Sequence, residues 1–118
     1  MGCVIESGAA QVVAVADTDP EAARTAATES GAEIAHDMGA LCRMPIDGIM
    51  IATPSAMHAE QAITALRAGK SVFCQKPLAR SAAETAAVIA AARGSGRLLG
   101  VDFSYRHVGG VPQMRELV

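Results

Sequence analysis

Val72-Phe73-Cys74-Gln75-Lys76-Pro77-Leu78-Ala79 is the stretch whose reading decides the fold. Val72-Phe73-Cys74 is an apolar run of strand type. It stops at Gln75-Lys76-Pro77, and a helical pattern starts a few residues later. A cation at the carboxyl end of a buried strand stands where open α/β sheets bind ligands. Earlier in the chain, Ile49-Met50-Ile51-Ala52 makes the same transition into Thr53-Pro54-Ser55-Ala56-Met57-His58. Two strand ends carrying polar groups point to a cofactor or substrate crevice rather than to a generic core.

Working outward, strands and helices alternate. Gln11 to Asp17 is a near-continuous apolar run ending in an acid, as a strand buried on both faces would be. Asp19-Pro20-Glu21 starts a helix, with Asp as N-cap, Pro at the first helical position and Glu in the first turn. Gly31 stops it. Glu33-Ile34-Ala35 reads as a short strand, and Asp37 opens a brief helix through Arg43. Asp47 to Ala52 is the next strand. Ser55 to Ala68 is a helix with Ala59, Ala62, Ile63 and Leu66 on one side and Gly69 at its end. Ser71 to Cys74 is a strand. Ser81-Ala82-Ala83-Glu84 is a capping box whose helix runs to about Arg93. Leu98 to Phe103 is a last strand, and a further helix starts near Pro112.

Strand–helix–strand repetition with short turns predicts right-handed crossovers and a doubly wound parallel sheet in three αβα layers, a Rossmann-type α/β fold. Alanine occupies 25 positions, and such small side chains let helices pack close to a sheet.

Composition excludes several classes. With 118 residues, the chain is one domain at most. Apolar residues make up 51% and charged residues 19%, which argues for a packed core. The net charge of −2 lacks the clustered Lys/Arg of a nucleic-acid footprint. No apolar run approaches the ~18 residues of a membrane span. Met1-Gly2-Cys3-Val4-Ile5-Glu6 lacks the basic start and long apolar core of a signal peptide. Cys3, Cys42 and Cys74 are odd in number and far apart, which argues against a disulfide framework, and with no C-x-x-C pair no metal site is expected. A reduced, cytoplasmic protein without nucleic-acid or membrane partners is the expectation.

Asp17 closing a strand, Thr53-Pro54 with His58, Gln75-Lys76-Pro77-Leu78, and Ser104-Tyr105-Arg106 after a strand occur in one order. In that order and spacing the chain resembles the nucleotide-binding domain of the glucose–fructose oxidoreductase / inositol dehydrogenase / rhizopine-catabolism (Gfo/Idh/MocA) family. The resemblance runs from about residue 9 to the end. It implies an NAD(P)-dependent oxidoreductase acting on sugars, cyclitols and related polyols.

Two departures stand out. The family's Gly-rich turn after its first strand has no counterpart here; Gly94-x-Gly96 with Gly100 has the wrong spacing and precedes a strand. Such glycines belong where the pyrophosphate meets a helix N-terminus. The chain is therefore expected to begin near the end of the first helix, with Cys3-Val4-Ile5 as its last turn. On that reading roughly 20–30 residues of a βα unit are missing, because the fingerprint acid follows the glycines by about 20 residues. The family's substrate domain, with a His and an Asp in its acid/base set, would follow residue 118. A chain truncated at both ends is expected to be catalytically inactive. Without its central strand, the facing edges of the Gln11–Asp17 and Asp47–Ala52 strands would be unpaired, unless they meet each other or a second copy covers them. The resemblance leaves room for a homo-oligomer, since family members assemble largely through the substrate domain's sheet.

Carried onto this chain, the resemblance puts Asp17 on the adenosine ribose hydroxyls, where a carboxylate favours NAD over NADP. Otherwise Asp17 merely ends a strand. Thr53 and Pro54 would lie against a phosphate or ribose, or simply form a helix entry turn. His58, in a helix's first turn, is expected to be neutral and to cap, face solvent or touch the cofactor. Lys76 would sit beside the nicotinamide and the substrate hydroxyl, as the catalytic group that stabilises developing negative charge. Gln75 stands where the family often has Glu; it can bind a ribose hydroxyl or the nicotinamide amide but cannot act as acid or base. Cys74 reads as a buried strand residue. Tyr105 and Arg106 could reach the crevice, or Arg106 could form a rim salt bridge. Two rival readings are a non-catalytic nucleotide-binding or interaction module that retains only the scaffold, and another Rossmann-type reductase of the dihydrodipicolinate-reductase kind. The missing glycines favour the first; the Gln-Lys-Pro turn argues against the second.

Overall fold

A computed structural model describes residues 6–108. The expected helix turn at Cys3-Val4-Ile5 and the helix from Pro112 lie outside the described residues. The chain divides into two units, Met1–Asp47 and Gly48–Val118.

In the first unit, strand β1 (Ala14–Val15) leads to helix α1 (Pro20–Ser30), strand β2 (Glu33–Ile34) and helix α2 (Met38–Arg43). The strands are parallel, with Val15 opposite Ile34. Local chemistry sets the helix ends. The Asp19 carboxylate accepts from the N–H of Glu21, Pro20 follows it, and Gly31 closes the helix at φ 70°. Asp37 accepts from the N–H of Ala40 at 2.7 Å. That bond holds the Asp37 carboxyl below the usual carboxylate range.

β1 is much shorter than the expected Gln11–Asp17 strand, and Val13 and Ile34 are exposed. Only β2 pairs with it among the described strands, so the ladder ends where that partner ends.

In the second unit, β3 (Gly48–Ile51), α3 (Ser55–Arg67), β4 (Ser71–Cys74), α4 (Ala82–Ser95) and β5 (Leu99–Val101) follow one another. The sheet order is β3-β4-β5, all parallel. A 3₁₀ turn covers Ser104–His107. Each crossover steps to the next strand in the same direction. Right-handed connections of that kind put both helices on one face of the sheet. The burial pattern agrees: Ile49, Ile51, Val72 and Cys74 are buried with Ala62, Ala65, Leu66 and Val88. The alternate residues Met50 and Phe73 remain exposed on the other face. Phe73 lies across from Gly100, and a Cβ added to Gly100 would come within 2.9 Å of its ring.

The capping box of α4 forms in a modified way. Ser81 Oγ accepts from the N–H of Glu84, while the Glu84 carboxylate reaches the N–H and guanidinium of Arg80. Those two bonds lower the Glu84 carboxyl. The last strand is shorter than the expected Leu98–Phe103 stretch: the chain leaves the ladder at Asp102 and turns into the 3₁₀ segment.

Candidate functional site

Parallel strands end together, so β3, β4 and β5 deliver three turns to one edge of the second unit. Thr53-Pro54 follows β3, Gln75-Lys76-Pro77 follows β4, and Asp102-Phe103-Ser104 follows β5. Backbone bonds lock them in step: the N–H of Gln75 donates to Ile51 O, and that of Asp102 to Cys74 O, both at 2.9 Å.

Side chains then cross-link the turns. Gln75 Nε2 donates to Asp102 Oδ2 at 3.0 Å, and Gln75 Oε1 accepts from the N–H of Lys76 at 2.8 Å. Asp102 Oδ1 in turn accepts from the N–H of Ser104. A glutamate at 75 would face the Asp102 carboxylate as a like charge; the amide donates to it instead. The Thr53 hydroxyl donates to Gln61 Oε1 at 2.6 Å. The Lys76-Pro77 peptide is cis. The Lys76 side chain is exposed, and among the described residues no partner engages its ammonium.

His58 departs from expectation. It is neither a surface nor a capping residue, being only 1% exposed. Its Nε2 lies 2.7 Å from Thr53 O and its Nδ1 2.7 Å from Pro77 O. Both ring nitrogens thus face backbone carbonyls of the turns after β3 and β4. Both partners are carbonyl oxygens, which only accept.

Asp17 belongs to the first unit. It is exposed just beyond β1, and its Oδ1 accepts from the N–H of Asp19 at 2.9 Å. This Asx turn leads into the α1 cap. Arg106 makes no ion pair among the described residues; its guanidinium lies 5.2 Å from the Phe103 ring centre. Phe73, Val101, Asp102, Phe103, Ser104 and Arg106 line an open recess of about 360 Å³. Asp102 and Gln61 are the side chains bonded to Gln75 and Thr53 that sequence reasoning missed. Placing Leu98 to Phe103 wholly in a strand hid the position of Asp102 at a strand end. Among the described residues no three His, Cys, Asp or Glu side chains gather as metal ligands, and no helix is long and apolar enough to cross a membrane.

Burial raises the Cys74 thiol above its ordinary range. Iodoacetamide is therefore expected to label Cys74 in the folded chain at least about tenfold more slowly than in the urea-unfolded chain. Peptide mass spectrometry over a time course checks this. Equal rates would mean that β4 opens to solvent.

A parallel α/β unit whose strand ends carry a cross-linked set of polar groups, with a lysine ammonium that has no partner among the described residues, defines a ligand-binding domain of the dinucleotide type. Residues 3–103 match the Gfo/Idh/MocA model, described as an oxidoreductase family with an NAD-binding Rossmann fold, and the chain belongs to that family. It is 35% identical over 112 residues to inositol 2-dehydrogenase 3 of Saccharopolyspora erythraea, covering 92% of this chain and 33% of that protein. The crystal structure of the WlbA dehydrogenase from Bordetella pertussis, in complex with NADH and UDP-GlcNAcA, superposes with a TM-score of 0.85 at 30% identity. That match covers 90% of this chain and 31% of the dehydrogenase. A 3-ketoreductase from Actinomadura kijaniata, in complex with NADP and TDP-benzene, gives 0.84 at 30% identity, over 91% of this chain and 33% of the reductase. The chain thus spans about a third of the length of the relatives it matches.

Proposed function

We propose that this chain is the cofactor-binding part of an enzyme that moves a hydride between NAD and a secondary alcohol of a sugar, cyclitol or related polyol. The observation that carries this reading is the setting of Lys76. Its exposed ammonium has no partner among the described residues, and it stands at the carboxyl end of the middle strand of a parallel sheet. The inositol dehydrogenase and the nucleotide-sugar complex among the relatives support the substrate class.

The donor set fits a dinucleotide in part. Asp17 offers a carboxylate to ribose hydroxyls, and the Thr53-Pro54 turn and Gln75 offer polar groups at strand ends. No G-x-G-x-x-G occurs in the 118 residues, so the pyrophosphate cradle is not among them. When bound, NAD supplies the hydride acceptor. Lys76 donates an N–H to the substrate oxygen and stabilises the negative charge that develops there. Gln75 is held between Asp102 and the Lys76 N–H and fixes the turn that carries the ammonium. Substrate choice and the remaining acid/base groups belong to the part of the relatives' length that this stretch does not span. By itself the stretch is proposed to turn over no substrate.

Calorimetric titration with NADH tests the reading. Saturable binding is expected, weakened about tenfold in Lys76→Ala, because the family resemblance puts this ammonium beside the nicotinamide as well as the substrate, and its removal takes away one hydrogen bond from a charged group. A chain folded by circular dichroism that shows no saturable heat would sink it.

A further inference from the structure

We infer that His58 is the positioning residue for Lys76: its buried ring ties the turn after β3 to the turn after β4 and so sets where the ammonium reaches. The inference rests on the reading of Lys76 given above. His58 is the sole buried polar side chain among the described residues. Alanine and leucine fill the rest of the buried face of α3, so packing alone gives no reason for an imidazole there. Its two ring nitrogens each lie 2.7 Å from a backbone carbonyl oxygen, of segments 5 and 19 residues away, Thr53 O and Pro77 O.

The Lys76 turn is anchored on both sides. At its entry, Gln75 Oε1 holds the N–H of Lys76 while Asp102 holds the Gln75 amide. At its exit, Pro77 has no N–H to offer, and its carbonyl is the group that His58 takes. Lys76 is bracketed between these anchors, and among the described residues its own side chain makes no bond that would fix it. Its reach is therefore a property of the backbone pose, which the ring secures against β3.

Two measurements on the full 118-residue chain test this, with circular dichroism to confirm that His58→Gln and His58→Ala fold. In ligand-free amide spectra, the Lys76 and Leu78 signals are expected to shift and broaden in either variant, while those of Val72 and Val88 hold. A folded variant whose Lys76 and Leu78 amides keep their wild-type positions overturns the inference. The second is a double-mutant cycle on NADH affinity. His58→Gln is expected to weaken binding about fivefold in the wild-type background and less than about twofold beside Lys76→Ala, since coupled residues are not additive. Equal losses in both backgrounds, or none in the first, also overturn it. If the wild-type chain binds no NADH, the cofactor reading fails, and the spectra alone decide whether the ring holds the turn.

Discussion

Leu66→Ala is expected to remove about 2–5 kcal/mol of stability, towards the upper end, because the site cannot collapse. Leu66 is fully buried on α3, which packs against β3, β4 and α4. Its buried neighbours on the helix are Ala62 and Ala65, too short to swing into the space left behind. Strands β3 and β4 are held in register by their ladder and cannot move in without breaking it. Domains of this size are stable by roughly 5–15 kcal/mol in total. One face of this sheet also exposes Met50 and Phe73, which lowers the starting value. The variant should therefore be largely unfolded in modest urea, whereas Met50→Ala on the bare face should change stability by less than about 1 kcal/mol. Urea melts of the two variants beside the wild type check the contrast. Similar losses for both would mean that the core does not lie on the α3 side of the sheet.

What the sequence revealed and what it hid follow one physical division. Features set by neighbouring residues were legible. Asp19-Pro20-Glu21 and Ser81 with Glu84 cap their helices through bonds spanning two or three residues. The strand end at Cys74 followed from an apolar run meeting polar residues and Pro, and the end of β3, expected at Ala52, falls one residue earlier at Ile51. Features set by distant partners were not. His58 looks like any polar residue in a helix's first turn until Pro77, 19 residues on, is seen to place its carbonyl 2.7 Å from the ring. Gln75 could be read as a weakened glutamate, but not as the partner of Asp102, 27 residues away. The length of β1 depends on how much partner strand lies beside it, which its own apolar run does not encode. The bare sheet face is hidden for the same reason: Met50 and Phe73 are as apolar as the buried Ile49 and Val72.

Asp17→Ser is expected to weaken NADH binding by about 10- to 100-fold, the loss of one or two hydrogen bonds to a charged group. NADPH affinity should stay level or rise, because the carboxylate no longer repels a 2′-phosphate. The local structure makes the substitution a clean one. Asp17 is exposed, and its Oδ1 accepts from the N–H of Asp19. A serine hydroxyl can accept the same bond in an ST turn, so the entry to α1 is kept. The α1 cap itself is Asp19, which the change leaves alone. The substitution therefore removes charge and one acceptor at the end of β1 with little else. That relatives were crystallised with NADH and with NADP fits a preference set by a few side chains rather than by the fold. Titrations with both cofactors, on wild type and variant, give the ratio directly. A folded variant with unchanged NADH affinity would place the ribose away from β1 and leave Asp17 as the residue that shapes the turn into α1.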